Sequence, residues 1–266
     1  MNKIDSLAQP FVMKDENSVK KPEYIILFIH GFTAAPTEIK PLAEYIWSRS
    51  ETNPIITSIL LPGHGIEGSE GYKTLDRIKY TDWTEAVKEK VIELLNYNIP
   101  VFLCGLSLGG LLVLDYLVYQ EKNNLDKRIK GALLLSPVLS MKSPLINLLG
   151  ILKHIIKYQY KGDSAVEFFE KHKLFSYHYR STSAVHELVK LMKKTFKDLE
   201  TINTPIIAQF GNDDDLVNVS KAVDLLKLIP KNVEVQTWDN FSHIFTVEEG
   251  KEEIFSDYLK WIHKNI

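Results

Sequence analysis

The sequence predicts an α/β fold: a mostly parallel sheet flanked by helices on both faces, with a helical cap inserted late in the chain. Three observations carry this. Six short apolar runs alternate with helix-periodic segments, as βα units require. About seventy residues separate the fourth run from the fifth, far more than an ordinary crossover needs. Finally, Gly105-Leu106-Ser107-Leu108-Gly109 stands between an apolar run and an apolar helical stretch, a strand–turn–helix setting for a G-x-S-x-G pattern.

The apolar runs cover 24–29, 55–60, 101–104, 129–135, 205–210 and 233–238. Most lack charge, as expected of strands buried on both faces. Between them, Ile39, Leu42 and Ile46 share one helical face, and Trp83, Val87, Val91 and Leu94 another, with Asp82 and Glu85 placed to form part of an N-terminal cap. Residues 111–119 continue as a helix from the glycine-flanked turn, and Ile254, Tyr258 and Ile262 line the last helix. The long interval, 137–204, carries helical apolar pairs at Leu145-Ile146, Leu148-Leu149, Ile151-Leu152 and Ile155-Ile156, then Val185, Leu188-Val189 and Met192. We read it as a cap over the strand C-termini, where sites in open α/β sheets lie. The α/β core is then 1–136 with 205–266; extra helices packed on the side of the sheet are the competing reading.

Length and composition bound the rest. A chain of 266 residues with 45% apolar content fits one large globular domain. A formal net charge of −2 gives no electrostatic footprint for nucleic acid. The single cysteine, Cys104, falls in an apolar run and reads as a buried small hydrophobe. The first 24 residues hold no long apolar stretch, and no segment is apolar enough to span a bilayer. A cytoplasmic protein acting on a small molecule is the expectation.

The glycine-flanked Ser107 points to nucleophilic catalysis. A serine hydroxyl is a poor nucleophile at neutral pH, so it needs a base within hydrogen-bond reach and an acid to orient that base. On this architecture the chain order is serine, acid, histidine. The run 205–210 ends in Gly211-Asn212-Asp213-Asp214-Asp215, three adjacent carboxylates at a strand C-terminus. The next run is followed by Asp239-Asn240-Phe241-Ser242-His243, which puts His243 in the loop where the base belongs. One oxyanion donor should be the backbone N–H of the residue after the nucleophile, Leu108.

With these pieces in place, the chain resembles the α/β-hydrolases of the bacterial carboxylesterase and monoacylglycerol lipase type, over nearly its whole length. The matching motifs are His30-Gly31-Phe32-Thr33, Gly63-His64-Gly65, Asp82-Trp83, Gly105 to Gly110, Gly211-Asn212-Asp213-Asp214 and Ser242-His243. Each is weak alone; their order and spacing are specific. The resemblance implies that the acid is Asp214, ahead of Asp213 and then Asp215, and that the second oxyanion donor is the N–H of Phe32. It implies a serine esterase that cleaves carboxylic esters with apolar acyl chains and needs no cofactor. Thioesterases, amidases and C–C hydrolases share such a triad and stay open. A non-catalytic binding protein of the same fold is disfavoured because no triad member is missing. His30 and His64 read as structural. His154, His172, His178, His186 and His263 show no metal-site spacing with a carboxylate, so no metal is expected. Phe168, Phe169, Phe175, Tyr177 and Tyr179 are candidates for an acyl pocket, and 153–161 for an interfacial contact or a packed lid helix.

Overall fold

A computed structural model of the chain describes residues 3–125, 128–143, 148–230 and 233–266. The apolar pair Leu145-Ile146 lies outside them. In chain order the elements are β1 (Val12–Met13), β2 (Ile25–Ile29), α1 (Lys40–Arg49), β3 (Ile55–Ile59), α2 (Ser69–Leu75), α3 (Tyr80–Leu95), β4 (Val101–Leu106), α4 (Leu108–Lys122), β5 (Ile129–Leu135), α5 (Leu149–Leu152), β6 (Tyr158–Tyr160), α6 (Asp163–Lys171), β7 (Tyr179–Ser181), α7 (Thr182–Thr195), β8 (Ile206–Gly211), α8 (Val219–Leu226), β9 (Val233–Trp238) and α9 (Lys251–Asn265).

Seven strands form one sheet in the order β1-β3-β2-β4-β5-β8-β9. Every pair is parallel except β1 with β3. The six apolar runs are its six parallel strands. The two-residue β1 is too short to leave a periodic signal. The parallel strands divide their side chains between two cores by simple alternation. Ile25, Leu27 and Ile29 of β2 face one core with Val101 and Leu103 of β4; Ile26 and Phe28 face the other with Phe102 and Cys104. The first core is closed by α3, α4 and α7, the second by α1 and α9, so helices cover both faces. Asp82 caps α3, accepting the Lys79 N–H at 2.8 Å.

Among the described residues the interval 137–204 holds three α-helices, a 3-10 helix at Phe196–Thr201 and a small antiparallel sheet of β6 and β7 that hydrophobic periodicity does not reveal. Its two parts differ. No residue of α5 or α6 is buried, whereas α7 buries Ala184, Leu188, Leu191 and Met192 in the first core. Among the described residues no helix is long and apolar enough to cross a membrane.

Candidate active site

The end of β4 runs directly into α4 through Ser107, whose backbone sits at φ 54°, ψ −112°. A non-glycine residue with positive φ is strained and persists only where its surroundings enforce it. Here they do. Ser107 donates its N–H to Leu135 O at 2.9 Å, while its own carbonyl accepts from Val138 N at 3.1 Å. The flanking glycines permit the turn. A Cβ on Gly105 would lie 2.3 Å from the Gly109 carbonyl carbon, and one on Gly109 would lie 2.0 Å from Ile29 O. Neither space admits a side chain.

The acid and the histidine meet across the ends of β8 and β9. His243 Nδ1 and Asp214 Oδ2 are 2.6 Å apart, and both residues are buried. The other carboxylate oxygen of Asp214 accepts the N–H groups of Leu216 at 2.9 Å and Val217 at 2.8 Å. Burial alone would raise the Asp214 pKa; the His243 hydrogen bond and the two backbone donors outweigh it and hold the carboxyl below its ordinary value. Asp213 and Asp215 are exposed and line the mouth of the cavity instead. Of the three adjacent aspartates, Asp214 is thus the one bonded to His243.

Ser107 and His243 open into one cavity of about 470 Å³. Its apolar wall includes Leu106 at the end of β4, Val138 and Met141 from the start of the interval 137–204, and Phe168, Phe169, Val185 and Leu188 from its helices. Of the five aromatic candidates, Phe168 and Phe169 reach it. Phe175 and Tyr177 are buried in the core, and Tyr179 stacks with Tyr72 and Tyr160.

Phe32 lines the same cavity in the loop after β2. That loop is tightly held. The Gly31 N–H is donated to the buried carboxylate of Glu38, and Thr33, at φ 65°, donates its hydroxyl to Phe32 O at 2.6 Å. Leu108 occupies the first turn of α4, where backbone N–H groups lack helical partners. His30 is structural: its Nε2 accepts the Leu61 N–H at 3.0 Å, its Nδ1 faces Gly31 O at 2.9 Å, and burial lowers its pKa to about 4. His64 packs edge-on against His30 and Trp83, with Nδ1 3.1 Å from Pro62 O.

Three charged cavity residues carry no site role in the sequence reading: Glu38, Arg180 and Lys161, the last named only as the end of the stretch 153–161. Burial pushes the Glu38 carboxyl up to about 7. Glu38 reads as a surface position of a helical start, and the two cations sit in three-residue strands or beside them. No motif marks any of the three.

Known proteins resemble this chain over most of its length. The thermostable monoacylglycerol lipase of Bacillus sp. (strain H-257) is 24% identical over 241 residues, covering 90% of each chain. A carboxylesterase of Bacillus subtilis is 22% identical over 242 residues, 90% of this chain and 92% of the relative. Among solved structures, a monoacylglycerol lipase of Paleococcus ferrophilus superposes with a TM-score of 0.73 at 20% identity, covering 97% of this chain and 100% of that one. Another, from work on the metagenome-derived lipolytic enzymes LipS and LipT, reaches 0.80 at 20% identity, covering 98% and 100%. These superpositions establish the α/β-hydrolase fold. The family described as Hydrolase_4, serine aminopeptidase S33, matches residues 20–250, and the chain belongs to it.

Proposed function

We propose that the protein is a serine hydrolase of carboxylic esters with apolar acyl chains, a carboxylesterase or monoacylglycerol lipase, working through an acyl-enzyme. The observation that carries the reading is the strained Ser107 at the head of α4, sharing a cavity with a His243 that is bonded to buried Asp214. Ser107 Oγ attacks the ester carbonyl while His243 Nε2 takes its proton. The backbone N–H groups of Phe32 and Leu108 hold the oxyanion that forms. His243 then returns the proton to the leaving alcohol, and water repeats the sequence to release the acid. Asp214 keeps Nδ1–H in place and offsets the imidazolium charge. The relatives are named as a monoacylglycerol lipase and a carboxylesterase, which supports the ester bond.

In this reading residues 137–204 form a lid, and α6 with Phe168 and Phe169 walls the acyl chain. A cytoplasmic setting is part of the reading, favoured by the free, buried Cys104. The test is an acyl-length series of nitrophenyl esters and monoacylglycerols beside a fluorophosphonate label. We expect kcat/KM to climb by up to roughly fourfold per useful methylene, about 0.8 kcal/mol each, and then fall when the cavity is full. We also expect the label on Ser107. A label on another serine, or no turnover of any ester, would refute the reading.

A further inference from the structure

The small sheet in the insert has two chemically different faces. β6 and β7 pair as Tyr158↔Ser181, Gln159↔Arg180 and Tyr160↔Tyr179, and the ladder extends by one bond, Lys161 N–H to His178 O at 3.0 Å. Side chains alternate along each strand, so Tyr158, Tyr160 and Tyr179 share one face, and Lys161 and Arg180 share the other as diagonal neighbours. The tyrosine face packs on Tyr72 of α2, with ring centroids 4.9 Å away for Tyr158 and 5.3 Å for Tyr179. The cationic face lines the catalytic cavity.

Like charges on one sheet face repel, and burial makes the repulsion stronger. Both effects act here. Burial and the Arg180 charge lower the Lys161 pKa to about 7, and burial lowers that of Arg180. Relief from the protein is incomplete. Lys161 Nζ donates to Thr33 Oγ1 at 2.6 Å and Ser176 Oγ at 2.5 Å and lies 4.9 Å above the Phe169 ring, but these partners are neutral. Among the described residues Arg180 has no hydrogen-bond partner for its guanidinium, and neither cation forms an ion pair. Only the fields of Glu38 on Lys161 and of exposed Asp215 on Arg180 act the other way. Two cations held together against an apolar wall, with guanidinium donors unused, make a receptor for an anion.

We propose that Lys161 and Arg180 form a subsite for an anionic oxygen group, a carboxylate or a phosphate, carried by the ester substrate. The proposal rests on the ester-hydrolase reading above and narrows its substrate class to acidic esters. Arg180 supplies the planar fork and Lys161 a point charge. The anion offsets the repulsion between them, so its binding strengthens with both present. On the acyl side the group would be the far carboxylate of a dicarboxylic monoester. On the alcohol side it would be a phosphate such as a glycerol phosphate carries.

The experiment compares matched pairs. One arm sets the mono-4-nitrophenyl ester of suberic acid against 4-nitrophenyl octanoate. The other sets 1-octanoylglycerol 3-phosphate against 1-octanoylglycerol. We expect the acidic member of one arm to have a kcat/KM at least roughly tenfold the higher, one charge-assisted contact's worth, and the arm identifies the side that carries the anion. Arg180→Met should erase that preference and leave the neutral esters within about threefold of their rates, as expected of a residue that reads charge rather than positions the reacting atoms. Calorimetric titration with octyl phosphate and octanoate against octanol reads the subsite without turnover, and Arg180→Met should abolish any preference for the anions. Equal rates within both arms, or an equal loss on acidic and neutral esters in Arg180→Met, would overturn the subsite while leaving ester hydrolysis intact. Failure of the neutral esters too, with anion binding lost in Arg180→Met, would keep the subsite and refute the reaction instead.

Discussion

The cavity has two walls of opposite character. The sheet wall, built at the ends of β4, β8 and β9, is buried, fully hydrogen-bonded around Asp214 and strained at Ser107. The insert wall, from α5 to β7, is loose in its helices and anchored only near Phe175 and Tyr177: α5 and α6 bury nothing, and Ile151 and Ile155 are 66% and 74% exposed. Yet α7, which follows in the same insert, belongs to the core. A rigid wall suits reacting atoms that must be held to a fraction of an ångström. A loosely packed wall can change its lining without unfolding the domain. The contrast teaches that the boundary between scaffold and specificity element falls inside the insert, just after α6, and not at its ends.

The largest effect should come from the sheet wall. Ser107→Ala should lower kcat by roughly 10³-fold or more on every ester, with an unchanged unfolding midpoint. Selective loss on long esters alone would break the comparison. Asp214→Asn should cost kcat on the order of 10²–10⁴-fold, and the same change at Asp213 or Asp215 far less, since only Asp214 touches His243. A steeper loss at Asp213 would show that another acid orients the histidine.

Next come two stability contrasts. Leu191→Ala in α7 should cost about 2–5 kcal/mol in urea denaturation, because Leu191 is fully buried, whereas Ile155→Ser should stay within about 0.5 kcal/mol. Equal costs would mean that the whole insert is core, or none of it. Glu38 lies where the walls meet. Its carboxyl titrates near 7 in the fold against 4.5 ordinarily, so the native state holds the extra proton and stability falls as pH rises between those values. Glu38→Gln should remove this fall, on the order of 3 kcal/mol, while keeping an acceptor for Gly31 N–H. Lys161 works in the next window: its lowered pKa makes stability rise from about 7 toward 10.5, so a Glu38→Gln curve should keep that limb. The smallest effect is on substrate choice. Phe168→Ala should move the preferred acyl length by one or two carbons, with little change for acetate esters.

The parallel strands were legible because most are uncharged runs between helical patterns, and Ser107 because its glycines have no alternative. Periodicity could not separate α5 from α7, since Ile151-Leu152 and Leu188-Val189 read alike although one is exposed and the other packs on α4. Asp214 was separable from its neighbours only through the family's register. Burial makes the distinction physical: the adjacent Leu216 and Val217 turn their N–H groups onto its carboxylate, and His243 closes over it from the loop after β9. The cations of the insert were invisible for a related reason. Lysine in a chain with 32 basic residues carries no signal until a strand pairing turns it inward.

The stitching of the insert to the sheet-side loops has a bearing on how such enzymes diversify. Tyr177 donates its hydroxyl to Gly63 O at 2.9 Å, accepts from Ile66 N at 3.0 Å, and sends its own N–H to Thr33 O at 2.9 Å. Lys161 and Ser176 bond to the same threonine. A lid exchanged between relatives as a cassette would therefore arrive with the wrong threads for the loops at 33 and 63–66. Inheritance of a new specificity has to pass through those loops together with the insert, which makes the insert and the loop after β2 a single unit of variation although some 130 residues of chain lie between them.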